Sequence, residues 1–252
     1  MNVQETIDKI NVYNLMIFNL IVFSILGIIQ FGWINTIPQL LIAVFTSCLV
    51  DSLFIYYSTK SFRISKSGVI SGFFIGLVLS NNQVWYVPLT ASLIAIIGKH
   101  LGNYLMKYLK YNSHIFNPAI IGVFLSMIIF KTSDGWWGST NLIAVFILGL
   151  FLLYKFKRFH LSITFLITYF AVNYLFNFNI NFLDSTLYFF AMFMLTEPIT
   201  APKNIKSRII YGVLSGVIIA LMVNSFSGLF SGYSFTAGLL ISNLFVPILD
   251  KI

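Results

Sequence analysis

Two carboxylates stand where a carboxylate is costly. Asp51 lies within the apolar run from Ile37 to Tyr57, and Glu197 follows the run from Thr186 to Leu195, in Thr196-Glu197-Pro198-Ile199-Thr200-Ala201-Pro202. A charged group at such a depth is paired, hydrated or part of an ion path. For Asp51 two readings stand side by side: a step in a cation pathway, or a structural partner for Lys99 or a backbone amide. The two prolines after Glu197 remove backbone donors and stop the helix, which fixes its carboxylate near a mouth of the protein and makes it a second ion-pathway candidate.

Asn117-Pro118, in His114-Ile115-Phe116-Asn117-Pro118-Ala119, joins a good N-cap to a residue preorganised for a first helical turn. Helix initiation accounts for both, and the same N-terminus would also attract a phosphate or carboxylate. Gly68, Gly72 and Gly76 recur every four residues on one helix face, suited to close packing or to cofactor approach, packing being the first choice. His100, His114 and His160 fall at helix ends, where they form neither a haem-binding pair nor a metal cluster, and the single Cys48 is read as a packing residue. The sequence contains no P-loop, no dinucleotide-binding glycine fingerprint and no nucleophile with its base.

The elements that must carry these residues are membrane helices. Of 252 residues 58% are apolar and 9% charged, against about a quarter charged in an ordinary soluble domain, which excludes that class. The excess of 15 Lys and Arg over 7 Asp and Glu is read as topological, with no nucleic-acid partner. Ten apolar runs are candidate crossings: Leu15 to Phe31, Ile37 to Tyr57, Gly68 to Ser80, Trp85 to Met106, Phe116 to Phe130, Leu142 to Tyr154, Leu161 to Phe178, Thr186 to Leu195, Ile209 to Asn224 and Phe235 to Leu249. The first is taken as a retained helix, not a signal peptide.

With both termini cytoplasmic, 14 of the 15 basic residues fall inside and only Lys131 outside. Removing any one crossing would move every later basic loop to the other side. Trp33, Trp85, Trp136 and Trp137 all fall in the outer loops, where an interfacial aromatic belt is expected. The third and eighth runs are too short to span as straight helices and occupy matching places in two sets of five. That pattern predicts an all-α, polytopic inverted repeat of two five-helix units, about 15–130 and 142–249, in one integral membrane domain over 1–252.

Ser67-Gly68-Val69-Ile70-Ser71-Gly72, Gly98-Lys99-His100, the FNPA motif at Phe116 to Ala119, the TEP motif at Thr196 to Pro198, and Asn243-Leu244-Phe245-Val246-Pro247-Ile248-Leu249-Asp250 resemble the RnfD/NqrB family. These are membrane subunits of Rnf electron-transport complexes and of the sodium-translocating NADH:quinone oxidoreductase. The resemblance implies a urea-transporter-like fold in the cytoplasmic membrane of a prokaryote. It also implies partner membrane subunits, sodium or proton movement coupled to electron transfer, and a chain that is not an enzyme alone.

Members of that family carry FMN esterified to a threonine on the outer face. The corresponding stretch here is Asp134-Gly135-Trp136-Trp137-Gly138-Ser139-Thr140, in which Asp134, Gly138 and Thr140 match the motif while Trp137 and Ser139 depart from it. The resemblance therefore makes Thr140 the candidate acceptor, with Asp134 and Gly138 assisting and Asn117 and Pro118 as further cofactor-binding candidates. A transferase needs such a loop as an exposed strand with small neighbours. The rival reading of the whole chain is an inverted-repeat carrier or channel for a small solute or ion without a redox cofactor.

Overall fold

The computed structural model describes residues 11–108, 115–224 and 232–252, and only the backbone of Met106. Lys9, Lys110 and His114, used above for topology and as a motif residue, lie outside them. The described residues form α1 (Val12–Phe31), α2 (Trp33–Thr59), α3 (Lys66–Val78), α4 (Tyr86–Tyr108), α5 (Pro118–Phe130), a 3-10 turn (Trp137–Ser139), α6 (Leu142–Phe156), α7 (Phe159–Leu175), α8 (Ser185–Phe189), a π-helical turn continuing it (Phe190–Met194), α9 (Ile205–Asn224), α10 (Ser234–Asn243) and α11 (Val246–Leu249). The fold is all-α. Its one extended pairing among the described residues is an antiparallel bridge between Leu79 and Asp134.

Several helix starts have a side-chain cap satisfying amides a helix cannot satisfy itself. Ser65 accepts from Gly68 N at 3.0 Å, Asn117 from Ile120 N at 3.2 Å, Asn141 from Ala144 N at 2.9 Å and Asp184 from Thr186 N at 2.9 Å. Helices α1, α2 and α9 are long and apolar enough to cross a membrane unaided; α3, α5, α6, α7, 185–194 and 234–249 are shorter apolar helices. Large apolar side chains such as Ile29, Phe45, Ile143 and Ile167 stay exposed, which suits a lipid-facing surface.

The glycine face of α3 lies against α2. A Cβ at Gly72 would sit 2.5 Å from Val44 Cα, and one at Gly68 would sit 2.9 Å from Asp51 Cβ, so these glycines serve close packing. Helix α2 also packs on α4, and α4 on α5; in the second half α7 packs on α9, and α9 on α10. The centre is aromatic: Phe23 of α1 meets Phe189 at 5.2 Å and Phe193 at 5.0 Å between ring centroids.

One expectation is corrected. Trp33 and Trp85 are exposed, but Trp136 and Trp137 are buried. The Trp137 indole donates to Gly76 O at 2.6 Å at the C-terminal end of α3, where a broken helix leaves carbonyls to cover, while the Trp136 indole packs on Phe189, Phe190 and Phe235.

Candidate functional site

Two adjoining cavities of about 420 and 60 Å³ share Tyr13, Ile70, Phe74, Glu197 and Ile199. Arg158 and Arg208 line the larger; Ser67, Lys99, Asn117 and Pro118 line the smaller. Glu197 stands at the junction, where α8 has ended and the chain turns toward α9.

Its carboxylate is held by donors from two elements. Asn117 Nδ2 donates to Glu197 Oε2 at 2.8 Å, and Thr200 Oγ1 donates to the same oxygen at 2.9 Å. Burial pushes the carboxyl above its usual range, opposed by the Thr200 bond and the charge of Arg158. The Arg158 guanidinium is buried and donates to the carbonyls of Glu197 at 3.4 Å and Pro198 at 3.3 Å. Burial, aided by Arg208, pulls it down to about 10, so it stays charged at neutral pH.

Asp51 is fully buried and reaches the cavity wall through its partner. Lys99 Nζ lies 2.6 Å from Asp51 Oδ2, and His100 Nε2 lies 2.6 Å from Oδ1. Ser65 Oγ also donates to this carboxylate, and Lys99 Nζ lies 2.5 Å from Ser67 Oγ. His100 sits within α4, not at its end, and stacks on Phe54 with ring centroids 4.1 Å apart.

Asp134, Gly138 and Thr140 lie at the other end of α3, about 20 Å away for 13 residues. Asp134 N donates to Gly232 O at 2.6 Å, and Asp134 Oδ2 accepts from Thr236 Oγ1 at 3.3 Å. Burial pushes the Asp134 carboxyl up to about 7 despite the bond from Thr236. Gly138 and Ser139 are buried, and Thr140 is half-buried behind the 3-10 turn.

The fold thus gathers Asn117, Pro118 and Glu197 at one cavity, places Asp51 behind Lys99 beside it, and leaves Asp134, Gly138 and Thr140 in a separate cluster. Sequence reasoning missed His100, Thr200 and Arg158 as members of the site. Thr200 carried a readable signal, a hydroxyl three residues after Glu197 in a turn; Arg158 had been counted only as a topological charge.

Among curated proteins no sequence match is found. The model of the NQR2, RnfD, RnfE family matches residues 2–137 and 124–252, so the chain belongs to that family of bacterial integral membrane subunits of Rnf and Nqr complexes.

Proposed function

We propose that this subunit couples electron transfer in its complex to the movement of sodium or a proton, with Glu197 as the polar group through which the ion enters or leaves the interior. The observation that carries this reading is the placement of Glu197: a carboxylate at the end of a broken helix, bonded by Asn117 and Thr200, on the wall shared by two adjoining cavities, one lined by Arg158 and the other by Lys99. Irregular backbone at membrane depth is tolerated where it lines such a cavity. A flavin in the complex supplies the electron chemistry; the residues of this chain position, shield and move charge.

An inverted repeat of ten crossings is the architecture that best accounts for the paired features. Gln39, near the start of α2, donates to the carbonyls of Gly76 at 2.8 Å and Leu79 at 3.5 Å, at the end of α3. Arg158, at the start of α7, does the same for Glu197 and Pro198 beyond α8. Asp51 of α2 bonds Lys99 of α4, and Asn224 Nδ2 of α9 donates to Asn173 Oδ1 of α7 at 2.8 Å. On this reading the basic end, with Lys99, Arg158 and Arg208, faces the cytoplasm.

The test is ion uptake by vesicles containing the complete complex, driven by a reductant. Glu197→Gln should lower ions moved per electron at least tenfold while the protein still assembles. Unchanged uptake would overturn the assignment, and reductant-independent flux through the subunit alone would favour a carrier without redox coupling.

A further inference from the structure

We infer that residues 134–140 form a folded plug that closes the end of α3, and that Thr140 is not an acceptor for covalent FMN in this chain. The inference is independent of the role given to Glu197.

The last carbonyls of a helix have no partners within it, and in a dry interior they must find them elsewhere. At α3 the loop supplies them. Val78 O accepts from Gly135 N at 2.8 Å and from Trp136 N at 3.1 Å. Gly76 O accepts the Trp137 indole N–H at 2.6 Å, beside the Gln39 amide. The bridge from Leu79 to Asp134, and the bond from Ser80 N to Ser133 O at 3.2 Å, extend this contact by one step.

The receiving surface is shaped for the indole. Trp137 is buried with its ring on Gly27 of α1, where any Cβ would collide with it. A Cβ at Gly138 would lie 2.9 Å from Leu77 Cβ. Ser139 is buried, its hydroxyl donating to Trp136 O at 2.7 Å and lying 3.1 Å from Thr186 Oγ1 of α8. Trp136 adopts φ 45° and ψ 34°, a left-handed conformation that a residue with a side chain keeps only when its surroundings hold it there.

Thr140 is therefore fixed on both sides, by the plug before it and by the Asn141 cap of α6 after it. Esterification requires its hydroxyl to attack a phosphorus of a flavin dinucleotide inside another enzyme's active site. The oxygen–phosphorus bond forms as the pyrophosphate breaks, the nucleoside monophosphate leaves and the hydroxyl proton is lost. Delivering Thr140 to such a site means withdrawing Trp137 and Ser139 from the interior and uncovering the end of α3. The residues in place do not fit a flavinylation loop.

Two measurements on the full chain test the inference. The first is intact mass after co-expression with a flavin transferase and excess flavin dinucleotide. Wild type should show no FMN increment, and an increment that Thr140→Ala removes would overturn the inference. The second is thiol labelling of Ser139→Cys in a Cys48→Ser background, compared with Lys131→Cys, an exposed position. Position 139 should react at least tenfold more slowly, and Gly27→Ala, which leaves the loop sequence intact, should bring its rate close to that of position 131. Labelling of 139 as fast as 131 in the parent, or no acceleration in a Gly27→Ala protein that still elutes as a folded species, would overturn the plug.

Discussion

Asn117 and Glu197 are 80 residues apart in the chain and 2.8 Å apart in the fold. The amide of one helix cap thereby steadies a carboxylate at the end of another, broken helix. Asn117 spends its oxygen on Ile120 N and its nitrogen on Glu197, so substitutions can separate the two contacts.

Asn117→Ala should lower stability by about 2–4 kcal/mol, the sum of a lost cap near 1 kcal/mol and a buried acceptor left short of a donor. Asn117→Ser, which keeps a capping oxygen but not the amide, should lose roughly half as much. Thermal unfolding in detergent checks this: an Asn117→Ser protein as stable as wild type would show that the Glu197 contact contributes nothing, and equal losses in the two variants would show that the cap contributes nothing.

The Asp51 cluster gives an ordering. Asp51→Asn leaves Lys99 without its carboxylate in a buried setting and should cost about 3 kcal/mol or more, exceeding Glu197→Gln. Adding Lys99→Met to Asp51→Asn should restore a large part of the loss. If the double variant is no more stable than the single one in the same unfolding assay, the pair is not what holds α2 to α4.

The Asp134 carboxyl, raised by burial to about 7 from an ordinary 3.8, ties stability to pH. Between those values the folded chain holds a proton that the unfolded chain has released, so stability should fall as pH rises through that window and level off above it. Asp134→Asn should flatten the profile and, above about pH 7, unfold at a higher temperature than wild type by a few degrees. Midpoints measured from about pH 5 to about pH 8 decide it; a wild-type profile rising with pH would contradict the burial of this group.

Close packing of α3 on α2 predicts that Gly72→Ala costs about 1–3 kcal/mol, because its new methyl would meet the backbone of Val44. Gly98→Ala, where nothing lies within 4 Å, should be neutral or stabilising by a few tenths of a kcal/mol. Similar effects at both positions would show that the α2–α3 contact yields easily.

Sidedness can be read from Arg63→Cys and Lys131→Cys, both exposed positions, in a chain whose Cys48 is replaced by Ser. An impermeant thiol reagent applied to intact cells should reach only position 131. Labelling of both from one side would break the ten-crossing reading.

The sequence by itself determined the helices. Apolar length, the caps Ser65, Asn117, Asn141 and Asp184, and the prolines after Glu197 are local features, and each acts within a turn of where it is written. Ten apolar runs became helices or interrupted helices because nothing else satisfies a backbone amid so many apolar side chains. What only the tertiary structure decided was which buried polar groups meet. Asp51 finds Lys99 and His100 from a different helix, Glu197 finds Asn117, and Arg158 turns inward to cover two carbonyls, although by composition it was one more topological charge. The Trp pair shows the same division. Indole is at home both at a membrane interface and in a core with a partner for its N–H, and the choice fell to the open carbonyl of Gly76 and the bare backbone of Gly27, which come from distant parts of the chain and meet only when α1 and α3 pack.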